Sequence, residues 1–356
     1  MKALVLSGGA GTRLRPITHT NAKQLVPLAN KPILFYGLES IAAAGIEEVG
    51  IVVGATHEAI REAVGTGEEF GLRVTYIPQD EPRGLAHAVL IARDFLGDEP
   101  FVMYLGDNLI VGGITPFVQE FIDTAPNALV LLTEVDEPEH FGVAELDGDG
   151  HLVRLVEKPK DPPSQLALVG LYLFDENIHE AVRAIEPSSR GELEITDAIQ
   201  WLIESGKLVM PHTLETPWID TGKLQDLLEA NRIVLESLDA RSDGTVDAGS
   251  RVSGRVVIES GADVVNSEVR GPAVIGAGTR LVDSYVGPYS SIAADCLLER
   301  AAIEQSVVLD RVEIRDVGPI RDSLIGRDAR VERAGAMPGG HRLLIGDHSE
   351  ISVSQA

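Results

Sequence analysis

Ala3-Leu4-Val5-Leu6-Ser7-Gly8-Gly9-Ala10-Gly11-Thr12-Arg13-Leu14-Arg15-Pro16 is the stretch on which the reading of this chain turns. Four uncharged apolar residues make a short buried strand, and three glycines within the next few positions make a tight loop. With no Cβ atoms in the way, backbone N–H groups of Gly8, Gly9 and Gly11 can approach and cradle phosphate oxygens, and Arg13 adds a planar, bidentate positive charge. The spacing excludes two other phosphate loops. No Gly-Lys followed by Ser or Thr occurs here, and Leu14 stands where a dinucleotide-binding loop would need its third glycine. Taken alone, a glycine-rich turn also fits a plain connection between a strand and a helix.

Outward from this loop, residues 1 to about 236 alternate strand-like and helical runs, which predicts a sheet with crossover helices. Strands are expected at Ala3 to Leu6, Val49 to Val53, Val74 to Ile77, Phe101 to Leu105 and Leu129 to Thr133. Helices are expected from Ile33 to Ala44, stopped by Gly45, and from Leu85 to Phe95, opened by Gly84. Phe141 to Leu146 and Leu152 to Val156 flank the turn Asp147-Gly148-Asp149-Gly150, so they form an antiparallel hairpin and the sheet is mixed. Leu166 to Phe174 adds a strand, and Leu193 to Ser205 and Leu224 to Leu238 add helices. Beyond Asp239 the helical period vanishes. Aliphatic residues recur instead every six positions, occasionally five: Val246, Val252, Ile258, Val264, Val269, Ile275, Leu281, Val286, Ile292, Leu298, Ile303, Leu309, Ile314, Ile320, Ile325 and Val331, with Ile345 and Ile351 at the end. An ordinary antiparallel sheet would alternate with a period of two and need frequent hairpin turns. A six-residue period fits a β-solenoid in which each hexapeptide forms one face of a triangular coil, with Gly276, Gly278, Gly287 and Gly326 at corners. The expected fold is therefore a Rossmann-like α/β mixed-sheet domain, residues 1–238, followed by a parallel β-helix, residues 239–356.

Composition narrows the function classes. With 356 residues, 44% of them hydrophobic, the chain can build real cores, and disorder is not expected. Its 55 acidic residues against 30 basic ones give a net charge of −25, which disfavours nucleic acid as a partner. The acidity is read as a solubility device or as adaptation to salt. No window approaches the roughly 20 apolar residues of a membrane span. No charged leader opens the chain and Cys296 stands alone, so the expected compartment is the cytoplasm and no membrane partner is expected.

Two further places invite ligands. Asp107 follows the apolar strand Phe101 to Leu105, a usual position for a metal-binding carboxylate at the end of an open α/β sheet. Gln79 and Gly84 lie between a strand end and a helix start, where such sheets bind their ligands.

Leu6 to Thr18, together with Lys23-Gln24-Leu25-Val26-Pro27-Leu28 and Lys31-Pro32, resembles the signature of the sugar-phosphate nucleotidylyltransferases. With the solenoid tail the chain resembles the long form of the glucose-1-phosphate thymidylyltransferases over essentially its full length, and in that form the β-helix is left-handed. The resemblance implies transfer of a nucleotidyl group from dTTP to glucose 1-phosphate with release of pyrophosphate. It implies that Gly8, Gly9, Gly11, Thr12, Arg13, Lys23, Gln24, Gln79, Gly84 and Asp107 bind the nucleotide, with Gln79 and Gly84 reading the base. Asp107 and Asp220, the latter in Trp218-Ile219-Asp220-Thr221-Gly222, are the implied Mg2+ ligands. Asn108, Gly142, Glu157, Lys158, Val169, Gly170, Tyr172, Arg190 and Trp218 are implied to bind the sugar phosphate. Arg13, Lys23, Asp107, Lys158 and Asp220 form the implied catalytic set. Relatives of the short form have Tyr-Gly where this chain has Phe141-Gly142, and Thr-Gly-Leu-Tyr where it has Val169-Gly170-Leu171-Tyr172, which leaves the sugar open. UTP in place of dTTP, another sugar 1-phosphate, and a non-catalytic sugar-nucleotide-binding regulator are the alternatives. A solenoid acetyltransferase is disfavoured, because His341 and His348 are the only histidines in that half. The solenoid is expected to assemble a homo-oligomer, with a trimer the frequent form of the solenoids it resembles.

Overall fold

The computed structural model describes residues 1–9, 11–19, 22–333 and 347–352. The repeat position Ile345 and the histidine His341 lie outside the described residues. The chain divides into two compact units: Met1–Ala10, Asn21–Leu25 and Ile33–Asp220 in one, and Gly11–Thr20, Val26–Pro32 and Thr221–Ala356 in the other. Among the described residues no helix is long and apolar enough to cross a membrane.

The first unit is built on a mixed sheet. Its strands, in chain order, are β1 (Lys2–Ser7), β2 (Glu48–Val53), β3 (Arg73–Pro78), β4 (Phe101–Leu105), then, after a separate short strand β5 (Asn108–Ile110), β6 (Ala128–Glu134), β7 (Gly142–Leu146), β8 (Leu152–Glu157), β9 (Leu166–Phe174) and β10 (Val209–Thr213). The spatial order is β8-β7-β9-β4-β1-β2-β3, with β6 pairing β9 and β10. β1 runs parallel to β2 and β4, while β9 is antiparallel to β4. The continuous Val/Ile/Leu character of the central strands is explained by burial on both faces. Leu4, Met103, Val130 and Leu132 point into one core layer, and Ala3, Val5, Val102, Tyr104, Leu129 and Leu131 into the other. The expected hairpin is present, with Leu155 opposite Ala144.

The expected helices form, with small changes at their ends: Ile33–Ala43, Ile195–Glu204 and Leu224–Ser237. The remaining expected helix, Leu85 to Phe95, is interrupted at Ala92, giving Leu85–Ile91 and Arg93–Leu96. One element is not readable from periodicity. The three-residue strand β11 (Trp218–Asp220) pairs antiparallel with β5, setting Asp220 opposite Asn108.

In the second unit the hexapeptide period becomes three parallel sheets, consistent with a left-handed β-helix. Val264, Leu281, Leu298, Ile314 and Val331 stack in one register column, and Val252, Val269, Val286, Ile303 and Ile320 in another. The third column corrects one assignment: Val308, not Leu309, stands between Ile292 and Ile325. The step from Ile303 to that position is one residue shorter than most, so a fixed count of six overshoots it. Corners are turned in the left-handed region by Asn266, Asp283, Arg300 and Asp316, with φ of 43°, 48°, 48° and 57°. Asn and Asp tolerate that region better than most side chains, and Arg300 lies there with Nε and Nη2 of its guanidinium donating to Asp316.

Asn231, on the Leu224–Ser237 helix, is a fully buried polar side chain that ties three segments of this unit. Its Oδ1 accepts from the Ala29 N–H at 2.8 Å and the Ser291 hydroxyl at 2.7 Å, while its Nδ2 donates to the Tyr289 carbonyl at 3.3 Å. An unsatisfied buried donor costs about 1–3 kcal/mol. Asn231→Ala strands two donors and one carbonyl, so its unfolding midpoint in urea falls well below that of the parent. An unchanged midpoint would show that this amide is dispensable.

Candidate active site

The carboxyl ends of β1, β3 and β4 carry the loops that bear the chemistry, as expected for an open α/β sheet. Of the binding and catalytic residues that the resemblance implies, Gly11, Thr12 and Arg13 belong to the second unit and all the others to the first.

The centre of the first unit's site is an ion triad. Lys23, whose side chain is 7% exposed, donates to Asp107 Oδ2 at 2.6 Å and to Asp220 Oδ1 at 3.3 Å. Both aspartates keep about a quarter of their side chains exposed, 24% and 25%. Burial alone would lower the Lys23 pKa, but the two carboxylates outweigh it and raise it, so the ammonium stays charged at neutral pH. Strand pairing brings the acids together. Asp107 immediately precedes β5, Asp220 ends β11, and these two strands pair with each other. Asn108 locks the arrangement: 2% exposed, it accepts from the Trp218 indole N–H at 2.6 Å and donates from Nδ2 to Asp107 Oδ1 at 3.0 Å. The Tyr104 hydroxyl donates to its carbonyl at 2.9 Å. Asn108 and Trp218, the residues that the resemblance implied for the sugar phosphate, thus hold Asp107 in shape.

A second group lies around Gln79. Its Nε2 is 3.0 Å from His87 Nδ1, and a Cβ on Gly8 would lie 3.1 Å from its Oε1. Burial, then the Arg83 charge, lowers the His87 pKa, so the ring is neutral and its Nδ1 can accept from the amide. His87 was not singled out from sequence, although it stands in the same Gly84-Leu85-Ala86-His87 segment. Gly84, with φ +101°, presses on the Leu193 backbone, where a Cβ would come within 2.3 Å of the carbonyl. Gln24 is buried, and among the described residues its Oε1 is one of the buried side-chain atoms lacking a hydrogen-bond partner.

The third group gathers Glu157, Lys158 and Arg190. Burial is the largest influence on Glu157 and raises its pKa, while Lys158 and Arg190 pull the other way. Thr196 donates to Glu157 Oε2 at 3.3 Å, and a Cβ on Gly142 would lie 3.3 Å from the same oxygen. Arg190 is engaged by three carboxylates, Glu157, Glu192 and Glu194, at 3.2, 3.4 and 2.8 Å. Lys158 is bent into the left-handed region, φ +42°, at the end of β8, with Nζ 3.6 Å from Glu157 Oε1. Val169 and Tyr172 are buried, and Tyr172 stacks on Phe174. The pairing of β9 with β6 is irregular between Leu168 and Tyr172, the kind of local disruption that re-aims side chains beside sites.

In the second unit, Gly11 takes φ +59° and starts a short turn from Thr12 to Leu14, and its carbonyl accepts from Thr18 at 2.6 Å. The Arg13 guanidinium lies against Gly222, where a Cβ would meet Nη2 at 2.8 Å.

Among the described residues one exposed group could gather metal ligands by proximity, Asp147, Asp149 and His151, in the hairpin turn. It is separate from Asp107 and Asp220.

The nucleotidyl transferase family model matches residues 2–237. A glucose-1-phosphate thymidylyltransferase of Streptomyces griseus is 58% identical over 354 residues, covering 99% of this chain and 100% of that protein. One from Streptomyces antibioticus is 56% identical over 354 residues, covering 99% of each chain. The crystal structure of a Bacillus anthracis protein assigned as a glucose-1-phosphate thymidylyltransferase matches with a TM-score of 0.63 and 35% identity, over 68% of this chain and 98% of that one.

Gly170 tests the lock on Asp107, because a Cβ there would lie 2.3 Å from Asn108 Oδ1. Gly170→Ala forces the Asn108 amide away from the Trp218 N–H at an overpacking cost of about 1–3 kcal/mol. With 2 tryptophans in the chain, the Trp218 indole resonance is easily assigned by nitrogen-edited NMR. It moves strongly in the variant while that of Trp201 stays; an unmoved signal would show that the amide had not been displaced.

Proposed function

The chain belongs to the nucleotidyl transferase family, and from that premise we propose that it transfers the thymidylyl group of dTTP to glucose 1-phosphate, forming dTDP-glucose and pyrophosphate. Nucleotide and sugar-phosphate substrates fit the family, and the thymidylyltransferase assignment is supported by relatives that align along nearly the whole chain at 56–58% identity. One observation carries the chemistry: two carboxylates lie 2.6 and 3.3 Å from one buried ammonium. In this reading residues 1–238 form the catalytic domain and residues 239–356 the solenoid.

The reaction brings one phosphate against another. Two unit charges 4 Å apart repel by about 4 kcal/mol at an effective dielectric near 20, so charge neutralisation is the first requirement. Asp107 and Asp220 fit Mg2+ by the chemistry of their donor set, hard carboxylate oxygens turned toward one cationic position that Lys23 now contacts. When bound, the ion would supply neutralisation of the phosphate oxygens at the reacting centre. Lys23 stabilises charge on the α-phosphate. Lys158 orients the phosphate of the sugar, and Glu157 accepts from sugar hydroxyls. Arg190 holds Glu157 on one side, in keeping with a supporting contact to the sugar-phosphate end.

Gly8, Gly9, Gly11, Thr12 and Arg13 steady the β- and γ-phosphates as pyrophosphate leaves. Gln79 reads the base, with its amide oriented by neutral His87, and Gly84 and Gln24 complete the nucleotide contacts. No general base is required, because the attacking phosphate oxygen is already anionic at neutral pH. Asn108 and Trp218 act in this scheme by fixing Asp107 rather than by contact with the sugar.

Pyrophosphate release measured with dTTP and UTP, each against glucose 1-phosphate and other sugar 1-phosphates, is expected to be fastest with dTTP and glucose 1-phosphate. Preference for UTP would reassign the base. Asp107→Asn and Asp220→Asn each lower turnover roughly 100-fold or more with the circular-dichroism spectrum unchanged. Near-normal turnover in either variant would remove the acid pair from the mechanism.

A further inference from the structure

The same ammonium that is assigned to the α-phosphate is held by the two carboxylates assigned to the metal. Lys23 cannot serve both partners fully at once. Its side chain is 7% exposed and is enclosed by protein, whereas Asp107 and Asp220 remain open to solvent at 24% and 25%. Asp107 is moreover committed on both oxygens, Oδ1 to the Asn108 amide and Oδ2 to Lys23. A divalent cation reaching this pair from solvent therefore meets a carboxylate whose charge is already balanced, and a buried like charge beside it.

We propose that Lys23 is an exchangeable counter-ion of the acid pair: its ammonium offsets one of the two negative charges of Asp107 and Asp220 until a divalent cation takes them over, and it then turns to the triphosphate. The proposal rests on the metal reading above and adds an order to it. Without the Lys23 charge, a metal ion reaching the two carboxylates in the absence of substrate would not have to displace this buried ammonium. With Lys23, the metal must compete for the pair. A bound triphosphate lowers that barrier, because it offers the released ammonium a new anionic partner. Metal and nucleotide affinities are then coupled, and by linkage each raises the other to the same extent. The Lys23 side chain also acts as a filter, keeping the site from being filled by metal alone.

The test is binding of Mn2+ to the full-length protein, stripped of divalent ions with a chelator and free of nucleotide, followed by the electron paramagnetic resonance of unbound Mn2+. Lys23→Met, which keeps the length of the side chain and removes its charge, is expected to bind one Mn2+ per chain at least tenfold more tightly than the parent. Adding Asp107→Asn to Lys23→Met is expected to abolish that gain, which separates it from binding at Asp147, Asp149 and His151. Lys23→Gln is measured in parallel and must behave as Lys23→Met does; circular dichroism checks that each variant is folded, and the Gln variant carries the test if the Met variant is not. Equal or weaker affinity in the neutral variants would overturn the exchange while leaving the acid pair as a metal site. Absence of Mn2+ binding at Asp107 in the parent and in every variant would overturn the metal reading and the exchange with it.

Discussion

Two aspartates far apart in sequence are pressed together around a buried lysine, and much of the first unit's design follows from keeping them there. Like charges at this distance separate unless something restrains them. The restraint has two parts. Backbone pairing of Asn108–Ile110 with Trp218–Asp220 fixes where the two acids stand, and the Trp218–Asn108–Asp107 hydrogen bonds fix how Asp107 is turned. The lysine then supplies the charge that makes the arrangement stable. Because these bonds are partly buried, each is worth more than its fully exposed equivalent and more costly to break.

Glycine serves this centre by allowing close approach. Gly170 lets the Asn108 amide lie against β9, Gly142 leaves room for Thr196 and Glu157, and Gly84 lets the start of a helix touch the Leu193 backbone. The space that a Cβ would fill is taken by the Asn108 amide at Gly170, by the Leu193 backbone at Gly84, and by the Thr196 and Leu168 methyl groups with the Glu157 carboxylate behind them at Gly142. The left-handed Lys158 at the end of β8 belongs to the same pattern, with local backbone cost accepted where a charged side chain must be aimed.

How much of this was readable from sequence depends on the range of the interaction. Central strands were legible because burial on both faces demands an unbroken apolar run, and the solenoid because each coil repeats one inward residue. Val308 in place of Leu309 shows the limit, since a periodic count cannot sense where one corner drops a residue. The glycine loop, Asp107 and Asp220 were marked by motif. What motif did not reveal was the partnership. The three-residue strands carry no periodic signal, Asn108 and Trp218 spend their polar atoms on each other and on Asp107, Arg190 is gripped by Glu194, and His87 meets Gln79 only through the fold. The Trp218–Asn108 contact spans 110 positions, and even Gln79–His87 and Arg190–Glu194, only 8 and 4 positions apart, leave no periodic signal in the sequence.

The strongly negative charge of the chain gives the buried lysine its significance. An anionic substrate approaching a protein of net charge −25 is repelled on average, so attraction must come from a few cations placed where the field is local. Most of the solenoid's arginines cannot play that part, because they are spent on neighbouring coils: Arg300 on Asp316, Arg311 on Asp328, Arg321 on Glu304 and Arg327 on Asp310. These exposed pairs contribute little to stability, about 0–1 kcal/mol each, yet they take up positive charge that would otherwise compete for phosphate at the wrong place. Lys23 is different in kind. Enclosed and held by two carboxylates, it is under the proposed exchange a cation in reserve, screened from solvent anions until the acids that hold it are claimed by something else.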